Sequence, residues 1–238
     1  MRSQAEVSPS FVFAPELGEP GSSLTLSAAE SHYLTRVCRA RLGDRATATD
    51  GRGRTASLIL TSVRGRVTAE IERTEGHRRP RRAWVCCGSP EGARADWLVE
   101  KLAELGVERW QPLECERSEW RSGAGRLNRW ERLAVAGMRQ SRRPYLMEVR
   151  GPLGIAAALE QLPEGGARWV ASQRAERVKA DPAGALAVGA IGPAAGFTPA
   201  EEATFGASGF RPLLLSDGRL STETAALAWA VWWSLGWE

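Results

Sequence analysis

The tightest constraint on this chain lies near its C-terminus, where Ile191-Gly-Pro-Ala-Ala-Gly-Phe-Thr-Pro-Ala-Glu201 is followed by Leu220-Ser-Thr-Glu-Thr-Ala225. Each reads as an apolar strand feeding a glycine-rich or polar loop that opens a helix. Two such crossings side by side build a small-molecule pocket in an α/β fold. In the first, Thr198 is placed to cap a helix, Pro199 takes the first helical position where its missing N–H costs nothing, and Glu201 completes a capping box. Gly192 and Gly196 flank the turn before it, so no Cβ stands between the backbone and a flat ligand. In the second, Arg211-Pro-Leu-Leu-Leu215 is expected to be a strand, Ser216-Asp-Gly-Arg219 the turn that ends it, and Thr222 to about Leu235 a helix. Ser221 or Thr222 caps that helix, and Glu223 suits the positive end of its dipole. Without a ligand, both crossings are ordinary strand-to-helix turns and Glu223 is a first-turn charge.

The rest of the chain divides into two domains. In the first, Ser27-Ala-Ala-Glu30 is a capping box for a helix through about Arg39, and alternating stretches at Arg45–Asp50, Thr55–Ser62 and Val67–Arg73 predict strands of a small barrel-like module. The charged run Glu75-Gly-His-Arg-Arg-Pro-Arg-Arg82 is expected to be a linker, which gives domains of 1–74 and 83–238 joined by 75–82. Beyond it, strands at Trp84–Cys87, Val107–Leu113, Leu146–Val149, Trp169–Ser172, Leu186–Ile191 and Pro212–Leu215 alternate with helices. These begin at Ser89-Pro90, carrying Leu98, Leu102 and Leu105 and ending at Gly106, then at about Arg126–Ser141, Ile155–Leu162 and Pro199–Phe205. Leu127, Trp130, Ala134 and Met138 form one stripe of the second helix. This is the pattern of a mostly parallel sheet covered on both faces.

Charge narrows the class of partner. The formal net charge is +4, and since Lys101 and Lys179 are the only lysines, the positive charge is almost all arginine, which forks onto phosphates and stacks on bases. Between Ser31 and Arg82 there are thirteen arginines against five acids, a face suited to polyanions, or simply a solvated basic surface. Cys38, Cys86, Cys87 and Cys115 lack metal-type spacing, so no metal site is expected; the adjacent Cys86 and Cys87 should point to opposite faces of a strand, and the thiols should be buried and reduced. Arg2 to Ser10 is polar and no apolar run approaches the roughly 20 residues that span a bilayer. A cytoplasmic protein without a membrane partner is expected.

Taken together, Gly192-Pro-Ala-Ala-Gly-Phe197 and Leu220-Ser-Thr-Glu-Thr-Ala225 resemble the signature of the SPOUT-type RNA methyltransferases. Within them the match is to the family that methylates N3 of a uridine in small-subunit (16S) ribosomal RNA. Three further segments extend the resemblance over nearly the whole chain: His32-Tyr-Leu-Thr-Arg-Val-Cys-Arg39 with Gly43-Asp44, Lys101-Leu-Ala-Glu-Leu-Gly-Val107 with Arg117-Ser118, and Gln140-Ser-Arg-Arg143. The chain departs from the family where a Glu-Gly pair is Ala194-Ala195 and an arginine is Ser221.

The resemblance implies a PUA-like RNA-binding β-barrel domain, then a SPOUT α/β domain with a deep trefoil knot, S-adenosylmethionine as cofactor, ribosomal RNA or the small ribosomal subunit as partner, and a homodimer. The terminal Trp229, Trp232, Trp233 and Trp237 suit an interface helix or ordinary core packing. For the cofactor, the expected residues are Gly192, Pro193, Gly196, Leu215, Leu220 and Thr224. For RNA they are Arg36, Arg39 and Arg41. Uridine N3 carries a proton at neutral pH, so the site must remove it or stabilise the anion; Glu223, Arg143 and Arg219 are the expected catalytic residues, Arg219 standing in for the missing guanidinium. The alternative is a non-catalytic ribosomal-RNA-binding or assembly protein that kept the fold and lost cofactor binding, and a related methyltransferase acting on transfer RNA or another base also stays open.

Overall fold

The computed structural model describes residues 9–79, 81–90, 94–118, 120, 126–178 and 184–235. The chain forms two units, one from the residues up to Arg79 together with Arg142–Tyr145, the other from the rest.

In the first unit, β1 (Ser10–Phe13), β2 (Ser23–Thr25), β3 (Arg45–Thr49), β4 (Arg54–Ser62) and β5 (Thr68–Gly76) form one sheet in the order β1-β3-β4-β5-β2. The pair β1–β3 is parallel and the others antiparallel. Period-two alternation turns Ala56, Leu58 and Leu60 of β4 and Ala69 and Ile71 of β5 inward, where they meet Val12, Ala46 and Ala48. Register shifts in the β4–β5 ladder at Ser57/Leu58 and Leu60/Ser62 add twist to the sheet. Helix α1 (Ala28–His32) starts where expected, with Ser27 Oγ accepting from Glu30 N at 3.2 Å. It passes into a π-helical turn at Tyr33–Val37 and ends there, short of Arg39, which takes a left-handed φ of +55°. The short strands β1 and β2 are additions to the sequence reading.

The expected linker 75–82 is shorter. The strand β5 keeps Glu75 and Gly76 in its ladder with β4, and β6 already begins at Arg82. Arg142–Tyr145, far along the chain, completes the first unit: the Pro144 carbonyl accepts from Thr49 Oγ1 at 2.9 Å and from Gly53 N at 3.0 Å, and Tyr145 Oη donates to the His77 carbonyl.

The second unit is built on β6 (Arg82–Cys87), β7 (Arg109–Glu114), β8 (Glu148–Val149), β9 (Leu153–Gly154), β10 (Ala167–Ala171), β11 (Leu186–Ile191) and β12 (Arg211–Leu213). All are parallel, in the order β12-β10-β11-β6-β7-β8 with β9 also beside β7. Among the described residues five helices cover it: α2 (Arg94–Leu105), α3 (Arg126–Ser141), α4 (Ile155–Glu160), α5 (Pro199–Ala207) and α6 (Thr222–Leu235). The helices α2, α3 and α6 bury Leu98, Leu102, Trp130, Trp229 and Trp233 on one face, and α4 and α5 bury Ile155 and Phe205 on the other. Cys87 belongs to the first core and Cys86 to the second, as the strand period requires. Cys38 is half-buried, unlike the other three thiols.

Some expectations shift. The buried stripe of α3 is Trp130, Ala134, Gly137 and Met138, while Leu127 is exposed. Trp229 and Trp233 are core residues: a Cβ at Gly189 or Gly184 would come within 2.4 Å of their indoles, so each ring lies directly on the strand or the backbone before it. Trp237 and the first turn expected after Ser89-Pro90 lie outside the described residues. Among the described residues, no helix is long and apolar enough to cross a membrane.

Candidate functional site

At the carboxyl ends of β10, β11 and β12, three loops enclose a cleft of about 430 Å³. Ser172, Gln173 and Arg174 come from the first loop, Gly192 to Phe197 from the second, and Leu215, Arg219 and Leu220 from the third, with Thr222 and Ala225 of α6 closing the base. Parallel strands direct their following loops to the same end of the sheet, which is why all three arrive together.

The second loop is held by short-range and long-range contacts at once. Gly196 takes φ +74° so that its N–H can reach back to the Pro193 carbonyl at 2.8 Å, closing the turn. The capping box forms as read from sequence, with Glu201 N on Thr198 Oγ1 at 3.3 Å and Thr198 N on Glu201 Oε2 at 2.7 Å. The other carboxylate oxygen of Glu201 accepts from Glu116 N at 2.8 Å, tying α5 to the turn after β7. Arg219 Nη2 donates to the Ala194 carbonyl at 2.6 Å and Thr222 Oγ1 to the Gly192 carbonyl at 3.0 Å. The loop is therefore fixed mainly through its carbonyls, and its small side chains leave the cleft wall to backbone.

Glu223 follows the cleft-lining Thr222 but does not itself line the cleft. Its side chain is 5% exposed and paired with the 60%-exposed Arg94 at the start of α2. Burial pushes its carboxyl up, but its own backbone N–H, the Arg94 guanidinium and the Ser221 hydroxyl outweigh that and hold it below the usual carboxylate range. Its Oε2 is buried without a hydrogen-bond partner among the described residues.

Of the residues expected from sequence, Gly192, Pro193, Gly196, Leu215, Leu220 and Arg219 all line the cleft. Thr224 does not. Residues Thr222, Ala225, Ala226 and Trp229 make the inward stripe of α6, so Thr224 is turned out to solvent with its hydroxyl 2.9 Å from Ser221 Oγ. Arg143 belongs to the Arg142–Tyr145 segment of the first unit and is exposed, with partial desolvation lowering its pKa. Arg36, Arg39 and Arg41 are exposed on that same unit. The Ser172–Arg174 loop went unread because a three-residue polar turn carries no signature of its own; only the sheet order puts β10 beside β11. Among the described residues no group of three His, Cys, Asp or Glu side chains could hold a metal ion.

The cleft has the size and lining for a small ligand with a flat ring. It offers a glycine floor, where a Cβ on Gly192 would crowd Phe197 N at 3.1 Å, and apolar walls at Ile191, Leu215 and Leu220. An all-parallel sheet with such a cleft at its strand ends defines a small-molecule-binding α/β protein with an appended β-rich unit. Residues 77–234 match the RNA methyltransferase domain and residues 26–72 the RNA methyltransferase PUA domain. The chain belongs to the RNA methyltransferase family. It is similar to the ribosomal RNA small subunit methyltransferase E of Synechocystis sp., 29% identical over 86% of this chain and 70% of that one, and to that of Mycobacterium tuberculosis, 28% identical over 90% and 87%. Its fold matches a crystal structure of ribosomal RNA small subunit methyltransferase E from Neisseria gonorrhoeae bound to S-adenosyl methionine, with a TM-score of 0.86, 30% identity and coverage of 94% of this chain and 96% of that one.

Proposed function

We propose that this protein transfers a methyl group from S-adenosylmethionine to N3 of a uridine in small-subunit (16S) ribosomal RNA. The observation that carries the reading is the glycine-floored cleft at three parallel strand ends, in a chain 30% identical to an enzyme solved with S-adenosyl methionine. When bound, the cofactor supplies an electrophilic methyl group on a sulfonium. Gly192, Pro193 and Gly196 give it backbone, Leu215 and Leu220 give the flat rings apolar walls, and Arg219 and Thr222 hold the loop at its carbonyls. Alignment of the methyl with N3 supplies most of the rate, since positioning can lower a barrier by about 7–11 kcal/mol. Glu223, beside the cleft, is assigned the orientation of the N3 proton, a role open to a carboxylate held ionised with one oxygen unpartnered.

The same reading makes 1–74 a PUA-like β-barrel that binds RNA through Arg36, Arg39 and Arg41. Barrel closure is supported by α1, where Glu30 Oε2 accepts from Phe13 N of β1 and Ser31 Oγ accepts from Val67 N beside β5. It makes 83–238 a SPOUT domain with a trefoil knot. The path from β12 at the sheet edge through 214–221 to α6, packed on the central strands β6 and β11, supports that threading. It also places the protein in the cytoplasm as a homodimer. Calorimetric titration with S-adenosylmethionine tests the reading first: about one site per chain, followed by methyl incorporation at a uridine of ribosomal RNA from a strain lacking the enzyme, is expected. RNA binding without cofactor binding would refute it in favour of a non-catalytic RNA-binding protein.

A further inference from the structure

Val37 and Leu42, 65% and 67% exposed, are the most exposed large hydrophobic side chains among the described residues. Both lie on the short path from the π-helical turn to β3. There Cys38 and Ala40 pack against the core of the first unit, while Val37, Arg39, Arg41 and Leu42 are exposed, with Arg36 just before them. Neighbouring arginines of the sheet are engaged, Arg45 with Glu72 at 3.1 Å and Arg54 with Glu19 at 3.1 Å. Arg36, Arg39 and Arg41 have no ion pair among the described residues. Arg39 moreover holds φ +55°, a conformation the fold alone would give to glycine.

We propose that this strip grips an unpaired stretch of RNA, its three guanidiniums on phosphates and Val37 and Leu42 against the faces of unstacked bases. A paired A-form helix presents phosphates and hydroxyls but no apolar surface in reach, its bases being stacked and its major groove deep and narrow. Two bare aliphatic side chains set among cations therefore find a complete partner only where bases are open. A second copy of the strip would set three cations against three. Such a grip selects RNA in which the Watson–Crick edge of a target base is already free. The choice of RNA as occupant rests on the methyltransferase reading; the choice of unpaired RNA rests on the strip.

The test uses the full chain and fluorescence anisotropy with an oligouridine of about twelve nucleotides, an RNA duplex of equal length, and phosphatidylserine vesicles. The double variant Val37→Ser, Leu42→Ser should bind oligouridine about fivefold more weakly through lost apolar contact, with an unchanged salt slope, and duplex as wild type does. Replacing Arg36, Arg39 and Arg41 by alanine should reduce the log–log salt slope on oligouridine by about 2. Arg39→Gly should melt no lower than wild type and still bind more weakly. Unchanged oligouridine binding by the double variant, equal loss on both RNAs, or wild-type preference for vesicles overturns the proposal. Wild type that grips oligouridine but ignores S-adenosylmethionine keeps the strip and removes the methyltransferase reading; cofactor binding with an unaffected double variant does the reverse.

Discussion

Gly88, the residue after β6, is buried against the cofactor-side loop, and Gly88→Ala would act on that loop through a single methyl group. Its Cβ would lie 2.6 Å from Pro193 N, 2.8 Å from Pro193 Cδ and 2.9 Å from Pro193 Cα. Ordinary contact begins at 3.4 Å, so the loop must retreat by about 0.8 Å in an interior that is close-packed. The strand ends cannot share the movement, because Gly88 N is bonded to the Ile191 carbonyl at 2.9 Å and Cys87 is in register with Ile191. Overpacking of this kind costs about 1–3 kcal/mol, or about 2–12 °C in Tm for a chain of this length. Displacing the cradle by most of an ångström should weaken S-adenosylmethionine at least about tenfold and methyl transfer by roughly a hundredfold. Gly189→Ala is the control: its Cβ would meet the Trp229 indole at 2.4 Å on the core face of β11, away from the loop. Differential scanning calorimetry and cofactor titration on both variants separate the effects. Comparable melting with cofactor affinity lost only in Gly88→Ala is expected; equal affinity loss in both, or wild-type affinity in Gly88→Ala, would refute the reasoning.

Arg94→Met removes the guanidinium from a buried carboxylate and should destabilise the fold by about 1–3 kcal/mol near neutral pH. Because the folded pKa of Glu223 is depressed, its contribution is present above the unfolded value of about 4.3 and lost as pH falls through the folded value; the gap in urea midpoint between wild type and variant should be full near neutral pH and close as pH falls through that window. Arg219→Ala cuts the hydrogen bond to the Ala194 carbonyl and should weaken cofactor binding and methyl transfer by about tenfold, with Tm lowered by no more than about 3 °C, since the side chain is exposed; wild-type activity would remove Arg219 from the site. Thr222→Val keeps the helix and loses the bond to the Gly192 carbonyl, and should cost about 1 kcal/mol in stability together with a several-fold rise in cofactor Kd. Burial pushes Cys86, Cys87 and Cys115 up to about 12, so a thiol reagent near pH 8 should label Cys38 alone in the native protein and all four cysteines in denaturant, read by mass spectrometry.

The sequence by itself determined what depends on residues three or four apart. The Thr198–Glu201 capping box, the turn closed at Gly196, the limits of α3 and of β11, and the opposite faces taken by Cys86 and Cys87 all follow from helix or strand period and local hydrogen bonds, and all are present. It also determined which two loops would carry the cleft, because a strand-to-helix crossing writes its glycines and caps into a short window. Only the tertiary structure decided the rest. The cleft gained the Ser172–Arg174 loop because β10 and β11 are neighbours in the sheet, and it took Thr222 in place of Thr224 because packing on β6 and β11 set the rotation of α6. The partner of Glu223 is Arg94, 129 residues away, and Arg142–Tyr145 joined the first unit across 95 residues from Thr49. Trp229 and Trp233 became core because Gly189 and Gly184 make room for them. Such contacts are chosen by burial and shape between distant segments, and no local window of sequence contains both sides of them.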